Sequence, residues 1–559
     1  MPISSPWSDL QIPACNVLSY LFPQGEPPST QPLWIDASNP NRHSLSMAQT
    51  LQLVKRVAVG LDNLGISTGQ SVLVCSPNNI YIPVLYLACV GSKRVFSGAS
   101  PAFTEEELAY QISNLDAAAI FVHRDYLHTM LLAAERSGVP RERVFIFGED
   151  TQPPQGTVTD WWDILASEEA SDSWQWDELS GDGAQRTVAT INFSSGTTGL
   201  PKGVCISHSN IIANVVQTAF VRFGTPPPHS TQRPGQEEVW LAFLPLYHAY
   251  SQLWTILIAA KLQCRVYIMA QFNFEKFLQH VQDYQVTGIQ CVPPVLTMLS
   301  KRPETTRLYN LQSLKHAVCG AAPLKAALHN DIRQRLGIAI TQGWGMTETT
   351  CVATSMLGKT EDMSGSVGYL LPNTQAMLVD DNGDEETRPD TPGEILVRGP
   401  QVFLEYWKNR DATHESKADA GWFRMGDVAV CRGGKWWIVD RKKELIKVKG
   451  FQVAPAEIEA VLVGHDAVAD AAVVGLPTYS GEELPRAYVV PQRSEIRLRV
   501  DEGALQVYMK GKVARHKQLT GGICFVDSIP RLASGKIKRK EVREWARRDA
   551  ELVAKRARL

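Results

Sequence analysis

From Leu51 to Leu299 the apolar residues alternate between two rhythms. Leu51–Leu64 carries them at helical period, Ser71–Ser76 is a short β-rich run, and Val84–Val90 is an apolar helix candidate. Val95–Ser97 reads as a short strand, Glu105–Leu115 as a helix and Ala118–Val122 as another strand. Strands and helices in this alternation predict parallel α/β layers, because each sheet face needs a helical cover. The stretch Glu149–Gln185 is rich in Trp and acidic residues and reads as surface excursions ahead of a strand at Thr187–Phe193. Thr225–Gly235, with three successive prolines, reads as an exposed loop. After Gly393 the rhythm shortens to β-rich pieces (Glu394–Val397, Val428–Val430, Trp436–Val439), then a basic run, then a fresh pattern from Pro455. That change puts a domain boundary near Asp440.

Composition narrows the class without changing this outline. The chain has 559 residues, 44% apolar and 20% charged, which suits a globular protein with a large body and a smaller second domain. A net charge of −2 gives no electrostatic footprint for nucleic acid. Basic residues gather late, in Lys536-Ile537-Lys538-Arg539-Lys540 and Arg547-Arg548, where they suit either a phosphate-bearing ligand or a solvated helix face. Ten cysteines are scattered singly with no Cys-x-x-Cys pair, so neither a zinc knuckle nor a disulfide framework is expected, and a reducing compartment is. Met1-Pro2-Ile3-Ser4-Ser5-Pro6-Trp7 lacks the charged and apolar regions of a signal peptide. The longest apolar stretches, Ile80–Gly91 and Leu253–Ala260, fall short of the ~20 residues that span a bilayer. A soluble protein that does not span a membrane is expected.

The first chemistry follows the strand at Thr187–Phe193. Ser194-Ser195-Gly196-Thr197-Thr198-Gly199-Leu200-Pro201-Lys202-Gly203 packs hydroxyls, glycines and a lysine into one loop. Glycines let backbone N–H groups converge on a polyphosphate, hydroxyls donate further hydrogen bonds, and lysine adds charge. It is not a Walker loop, since Gly-x-x-x-x-Gly-Lys occurs nowhere in the chain. A plain Gly/Ser/Thr turn has the same composition.

Other segments fall in order behind it. They are Gly320-Ala321-Ala322-Pro323-Leu324, Gln342-Gly343-Trp344-Gly345-Met346-Thr347-Glu348, Gly421-Trp422-Phe423-Arg424-Met425-Gly426-Asp427, Asp440-Arg441-Lys442-Lys443-Glu444-Leu445-Ile446-Lys447, Lys449-Gly450-Phe451-Gln452 and Ser534-Gly535-Lys536. Together with the loop they span nearly the whole chain, which resembles the adenylate-forming (ANL) superfamily of acyl-CoA synthetases, luciferase and adenylation domains. Within it the chain is most similar to the 4-coumarate:CoA ligase-like branch.

The resemblance implies an α/β fold with a large multi-layer AMP-binding domain over residues 1–439. A hinge follows at 440–443, then a smaller α+β lid over 444–559, with the active site between the two domains. It implies ATP, Mg²⁺ and coenzyme A as partners of a small carboxylic acid. The phosphate loop would be Ser194, Ser195, Gly196, Thr197, Thr198, Gly199 and Lys202. Ala321, Gln342, Gly343 and Trp344 would hold the adenine, with Thr347 beside them and Glu348 near the metal. Asp427 and Arg441 would hold the ribose. A carboxylate attacking a phosphate brings anion to anion, so a cation must sit where they meet; the resemblance gives that place to Lys536. Lys447 would serve thioester formation, Lys443 would be the pivot, and Lys449, Gly450, Phe451 and Gln452 would meet CoA. His248 in Leu244-Pro245-Leu246-Tyr247-His248-Ala249-Tyr250 would position the acyl–phosphate junction. Tyr250, Trp254, Gly345, Cys351 and Val352 would line the acid pocket. If 250–254 is helical, Tyr250 and Trp254 share a face at i and i+4, and Trp254 would shorten the pocket.

The departures bear on substrate. Met425 stands where relatives usually have Thr, and Ala270-Gln271-Phe272 lacks the basic residue of plant coumarate ligases. Trp254 is bulkier, and Cys351 replaces a common proline, so hydroxycinnamate does not carry over. Three alternatives stay open: an enzyme that loads a separate carrier protein, a luciferase-like oxygenase, and a catalytically dead nucleotide-binding protein. Ala557-Arg558-Leu559 is similar to the small–basic–leucine address read by the peroxisomal import receptor, so a peroxisomal location is expected, and a cytoplasmic one otherwise.

Overall fold

A computed structural model describes residues 2–149, 158–194, 200–224, 238–322, 324, 326–358, 360, 362–448, 451–478, 483–492, 501–510, 512–532 and 535–556. Ser195, Gly196, Thr197, Thr198, Gly199, Pro323, Lys449, Gly450, Ser534, Ala557-Arg558-Leu559 and the segment Thr225–Gly235 lie outside the described residues.

The alternating rhythm resolves into two layered sheets. One joins Glu405–Tyr406, Lys202–Ser207, Val188–Ser194, Val95–Ala99, Ser71–Cys75, Ala117–Val122 and Val144–Ile146 in that spatial order. Its central strands run parallel, and every residue of Ser71–Cys75 and Val95–Ala99 is buried, as expected of strands covered on both faces. The second sheet places Ala339–Trp344, His316–Cys319, Gly288–Cys291, Val239–Ala242, Arg265–Ile268 and Pro32–Asp36 side by side and parallel. One apolar cluster runs through both, from Val72 and Phe96 to Trp34 and Trp240, through the wholly buried helix Ile82–Gly91.

A third, antiparallel sheet is built on Gln375–Val379, Gly393–Arg398, Trp422–Arg432 and Lys435–Arg441. Its last strand runs two residues past the boundary expected at 439, so the hinge starts inside a paired strand. The smaller domain has its own core, with Ile458, Leu462, Val473 and Val489 buried between helix Pro455–Val463 and the strands Val468–Pro477 and Glu483–Pro491.

The stretch Glu149–Gln185 is not simply a surface excursion. Trp161 is fully buried, its ring centroid 5.0 Å from Phe147 and 5.4 Å from Tyr81. A Trp side chain buries more apolar area than its few polar neighbours can hold in water. Among the described residues no helix is long and apolar enough to cross a membrane.

Candidate active site

The hairpin of Val188–Ser194 and Lys202–Ser207 pairs Ser194 directly with Lys202. The two ends of the phosphate-type loop are therefore clamped side by side. The strand Ala339–Trp344 emerges opposite and turns into the 3₁₀ segment Thr347–Thr349, which carries Glu348. That turn needs Gly345, where a Cβ would lie 2.0 Å from the Cys351 carbonyl oxygen. Asn214 clamps the returning chain, donating to the Val352 carbonyl at 2.8 Å and accepting from its N–H at 3.0 Å.

These elements enclose a cleft of about 370 Å³ between the two domains, lined by Ser194, Lys202, His248, Thr347, Glu348, Arg441, Lys443 and Lys536 among others. Glu348 is 3% exposed. Its Oε1 accepts hydrogen bonds from the Ser194 hydroxyl and the Tyr406 hydroxyl, both at 2.9 Å. Its Oε2 is buried without a partner among the described residues. Lys536 enters the cleft from the smaller domain. Enclosure and the Arg441 guanidinium push its ammonium down to about 8 against the pull of Asp427, Glu348 and Glu444. Burial and Lys536 hold His248 down to about 4, so its imidazole is neutral near pH 7. His248 also caps the following turn, its Nδ1 facing the Tyr250 N–H at 3.5 Å, which leaves the proton on Nε2.

Asp427 pairs across the third sheet with Arg441. One carboxylate oxygen accepts from the Trp344 indole N–H at 2.8 Å, and the other lies 3.5 Å from the Arg441 Nε. Burial raises this carboxyl, against the cations Arg441 and Lys536 and the Trp344 hydrogen bond. Gln342 accepts from the Leu324 N–H at 3.2 Å through Oε1, while its buried NH₂ group has no acceptor among the described residues. Ala321 holds a left-handed φ of +69°, a conformation costly for a residue with a Cβ. Gly343 sits in the strand pair opposite Ser355.

Tyr250 donates its hydroxyl to the Val318 carbonyl at 2.8 Å, and burial pushes the Cys351 thiol nearby up to about 12. The helical i, i+4 relation expected for Tyr250 and Trp254 does not hold. Gln252–Ile258 is a π-helical turn, with more residues per turn than an α-helix. Trp254 packs edge to face on Trp240 at 5.9 Å in the core, and neither it nor Tyr250, Gly345, Cys351 or Val352 is among the cleft-lining residues.

The smaller domain keeps Lys447, Phe451 and Gln452 out of the cleft lining, whereas Lys443 belongs to it. Lys447 is exposed on Ile446–Val448, its N–H donating to Glu483 at 2.9 Å. Phe451 is exposed and stacks on His516 at 4.4 Å. Gln452 donates to Asp381 of the larger domain at 3.2 Å. Lys443 is exposed at the cleft mouth, and its carbonyl accepts from Arg543 at 3.0 Å. Sequence reading missed Tyr406. An aromatic residue in a short strand carries no signal beyond core packing, and its partner Glu348 lies 58 residues away.

Comparison with known proteins follows the same two domains. The AMP-binding enzyme family matches residues 28–407, and the AMP-binding enzyme C-terminal domain matches 457–536. The chain is 37% identical over 553 residues to phenylacetyl-CoA ligase epaB of Aspergillus niger, covering 97% of this chain and 98% of that one. It is 33% identical over 506 residues to 4-coumarate–CoA ligase 5 of Oryza sativa subsp. japonica, covering 89% of each. Among solved structures, ATP-bound MatB from Rhodopseudomonas palustris superposes with a TM-score of 0.81 at 26% identity, over 96% of this chain and all of that one. The anthranilate CoA ligase AuaEII with anthranoyl-AMP shares the fold, with a TM-score of 0.83 at 20% identity over 96% of this chain and 98% of that one. The chain belongs to the AMP-binding enzyme family and, with it, to the adenylate-forming superfamily in its acyl-CoA ligase branch.

Proposed function

We propose that this acid–CoA ligase works in two steps at one cleft, and that Lys536 is the cation of the first. In that step a carboxylate oxygen attacks the α-phosphorus of ATP, the bond to the β-phosphate oxygen breaks, and pyrophosphate leaves. In the second, the CoA sulfur attacks the acyl carbon, AMP leaves, and the thiol proton passes to solvent. The observation that carries the reading is the Lys536 ammonium, delivered by the smaller domain into the cleft that Glu348, Thr347 and Lys202 also line. In that cleft it would neutralise the acid and the phosphate where they converge. His248, neutral near pH 7, orients that junction and accepts no proton. Asp427 accepts from the ribose hydroxyls, Trp344 offers its face to adenine, and the NH₂ of Gln342, which has no acceptor among the described residues, donates to the base.

Mg²⁺ fits the residues present. The Glu348 Oε2, unpartnered among the described residues, is a hard oxygen donor in a buried setting, and Ser194 holds the same carboxylate. When bound, the cation offsets phosphate charge; the protein's part is to hold it through Glu348. For the acid we propose an uncharged, aryl-bearing acyl tail. Tyr250, Cys351 and Val352 are partly buried against the apolar core, and the similar phenylacetyl-CoA ligase supports this class.

The test separates the half-reactions. One charged donor that acts in the transition state is worth ~3–4 kcal/mol, about 10²–10³ in rate. Lys536→Ala should lose acid-dependent pyrophosphate exchange by that factor yet convert supplied acyl-adenylate and CoA to thioester. Lys447→Ala, on the face now turned to solvent, should exchange normally and transfer slowly. Normal exchange by a folded Lys536→Ala protein would end the proposal.

A further inference from the structure

We propose that Tyr406 is a positioning residue for both charges of the nucleotide site, holding Glu348 for the metal and Lys202 for the phosphates. This rests on the reading of Glu348 as a cation ligand given above.

Glu348 has one oxygen saturated and one left over. Two hydroxyls, those of Ser194 and Tyr406, share Oε1 at 2.9 Å each, while Oε2 stays buried and unpartnered among the described residues. A carboxylate fixed in this way cannot turn its filled oxygen toward the cleft without breaking two hydrogen bonds at once. The Tyr406 hydroxyl supplies one of those two bonds. The same ring carries the second charge, with the Lys202 ammonium 4.7 Å from its centroid.

The backbone around Tyr406 is tied to both partners. Tyr406 pairs with Val204 on the Lys202 strand, and the Trp407 N–H donates to the Gly203 carbonyl at 2.7 Å. Phe403 donates its N–H to the Glu348 carbonyl at 2.8 Å. Packing alone, 4.8 Å from the Phe403 ring, would be served by a phenylalanine. The hydroxyl is the part of Tyr406 that packing does not require, and it is spent on Glu348.

Tyr406→Phe isolates that hydroxyl and keeps the ring over Lys202. The probe is Mn²⁺, titrated by electron paramagnetic resonance into the full-length enzyme saturated with α,β-methylene-ATP. The variant should bind Mn²⁺ about tenfold more weakly, the scale expected for one hydrogen bond to a charged group. Its pyrophosphate exchange should fall at low Mg²⁺ and return toward wild type at high Mg²⁺, with an unchanged melting temperature. Tyr406→Leu, which also removes the ring, should in addition raise the KM for ATP. A Tyr406→Phe titration that superimposes on wild type, or an activity loss that Mg²⁺ does not relieve, would overturn the assignment while leaving the metal reading intact. Failure of the wild-type complex to bind Mn²⁺ beyond the analogue alone would instead overturn the metal reading.

Discussion

Lys536 is held as an ammonium by carboxylates and destabilised by enclosure, and the balance leaves it near 8 in the free enzyme. It is charged below that pH and neutral above it, so kcat/KM for pyrophosphate exchange should fall as pH rises through about 8. The folded value lies below the unfolded one, so the group costs stability below about pH 8, and this cost is relieved as pH rises toward 10.5. Phosphate charge should draw the proton back. ATP binding near pH 8–9 should therefore take up protons, measurable by calorimetry in buffers of different ionisation enthalpy, and Lys536→Ala should abolish the uptake. Lys536 and Glu348, singled out in the sequence because the expected chemistry demands charge, both line the cleft. Tyr406 was not singled out, because its role depends on a partner brought to it only by folding. Trp344 was half legible: its flat face could be anticipated, but not the donation of its N–H to Asp427.

Between the two domains, the chain from Arg441 is gripped by one side chain of the helix Arg539–Arg556. Arg539 donates to Glu444 at 2.6 Å, to Glu459 at 2.5 Å and 3.0 Å, and to the Val473 carbonyl at 3.0 Å. Asp440, beside this cluster, accepts from the Arg441 and Ala456 N–H groups. Burial pushes its carboxyl up to about 6, against Arg539 and those hydrogen bonds, with Glu444 adding to the rise. Its folded value lies above the unfolded one, so its protonation should stabilise the fold as pH falls from about 6 toward 4. The difference between wild-type and Asp440→Asn melting temperatures, followed over that window, should carry this slope; parallel curves would reject it. The π-turn Gln252–Ile258 is another element that periodicity cannot announce, because its extra residue per turn depends on tertiary anchors. One is the reciprocal pair between the Asn192 and Gln252 amides, at 2.9 and 3.0 Å. Trp254→Leu should cost about 2–3 kcal/mol as a core truncation. If Trp254 backs the acid pocket, it should also admit bulkier aryl acids in an exchange panel; an unchanged panel in a folded variant would confine the residue to packing.

Across the molecule, polar contacts at the surface help to join the smaller domain to the larger. Asp381 accepts from Gln452 at 3.2 Å and lies 3.4 Å from the Lys442 ammonium, which also lies 3.2 Å from Glu394. The two Asp381 contacts lie at the surface, where such a pair is worth roughly 0–1 kcal/mol. Asp381→Ala should slow pyrophosphate exchange only a few-fold and leave thioester formation from supplied adenylate unchanged in a stopped-flow assay. The residues by themselves determined the α/β class and the ordered segments of an adenylate-forming enzyme, because these are written in local periodicity and in short runs of Gly, hydroxyl and charge. Only tertiary structure decided which of those residues share a cleft. It set Lys536 inside it and Lys447 out in solvent, buried Trp161 and Trp254, and brought Tyr406 to Glu348. Each of these outcomes depends on how close distant segments come in space, and that is a property of packing that no local pattern records.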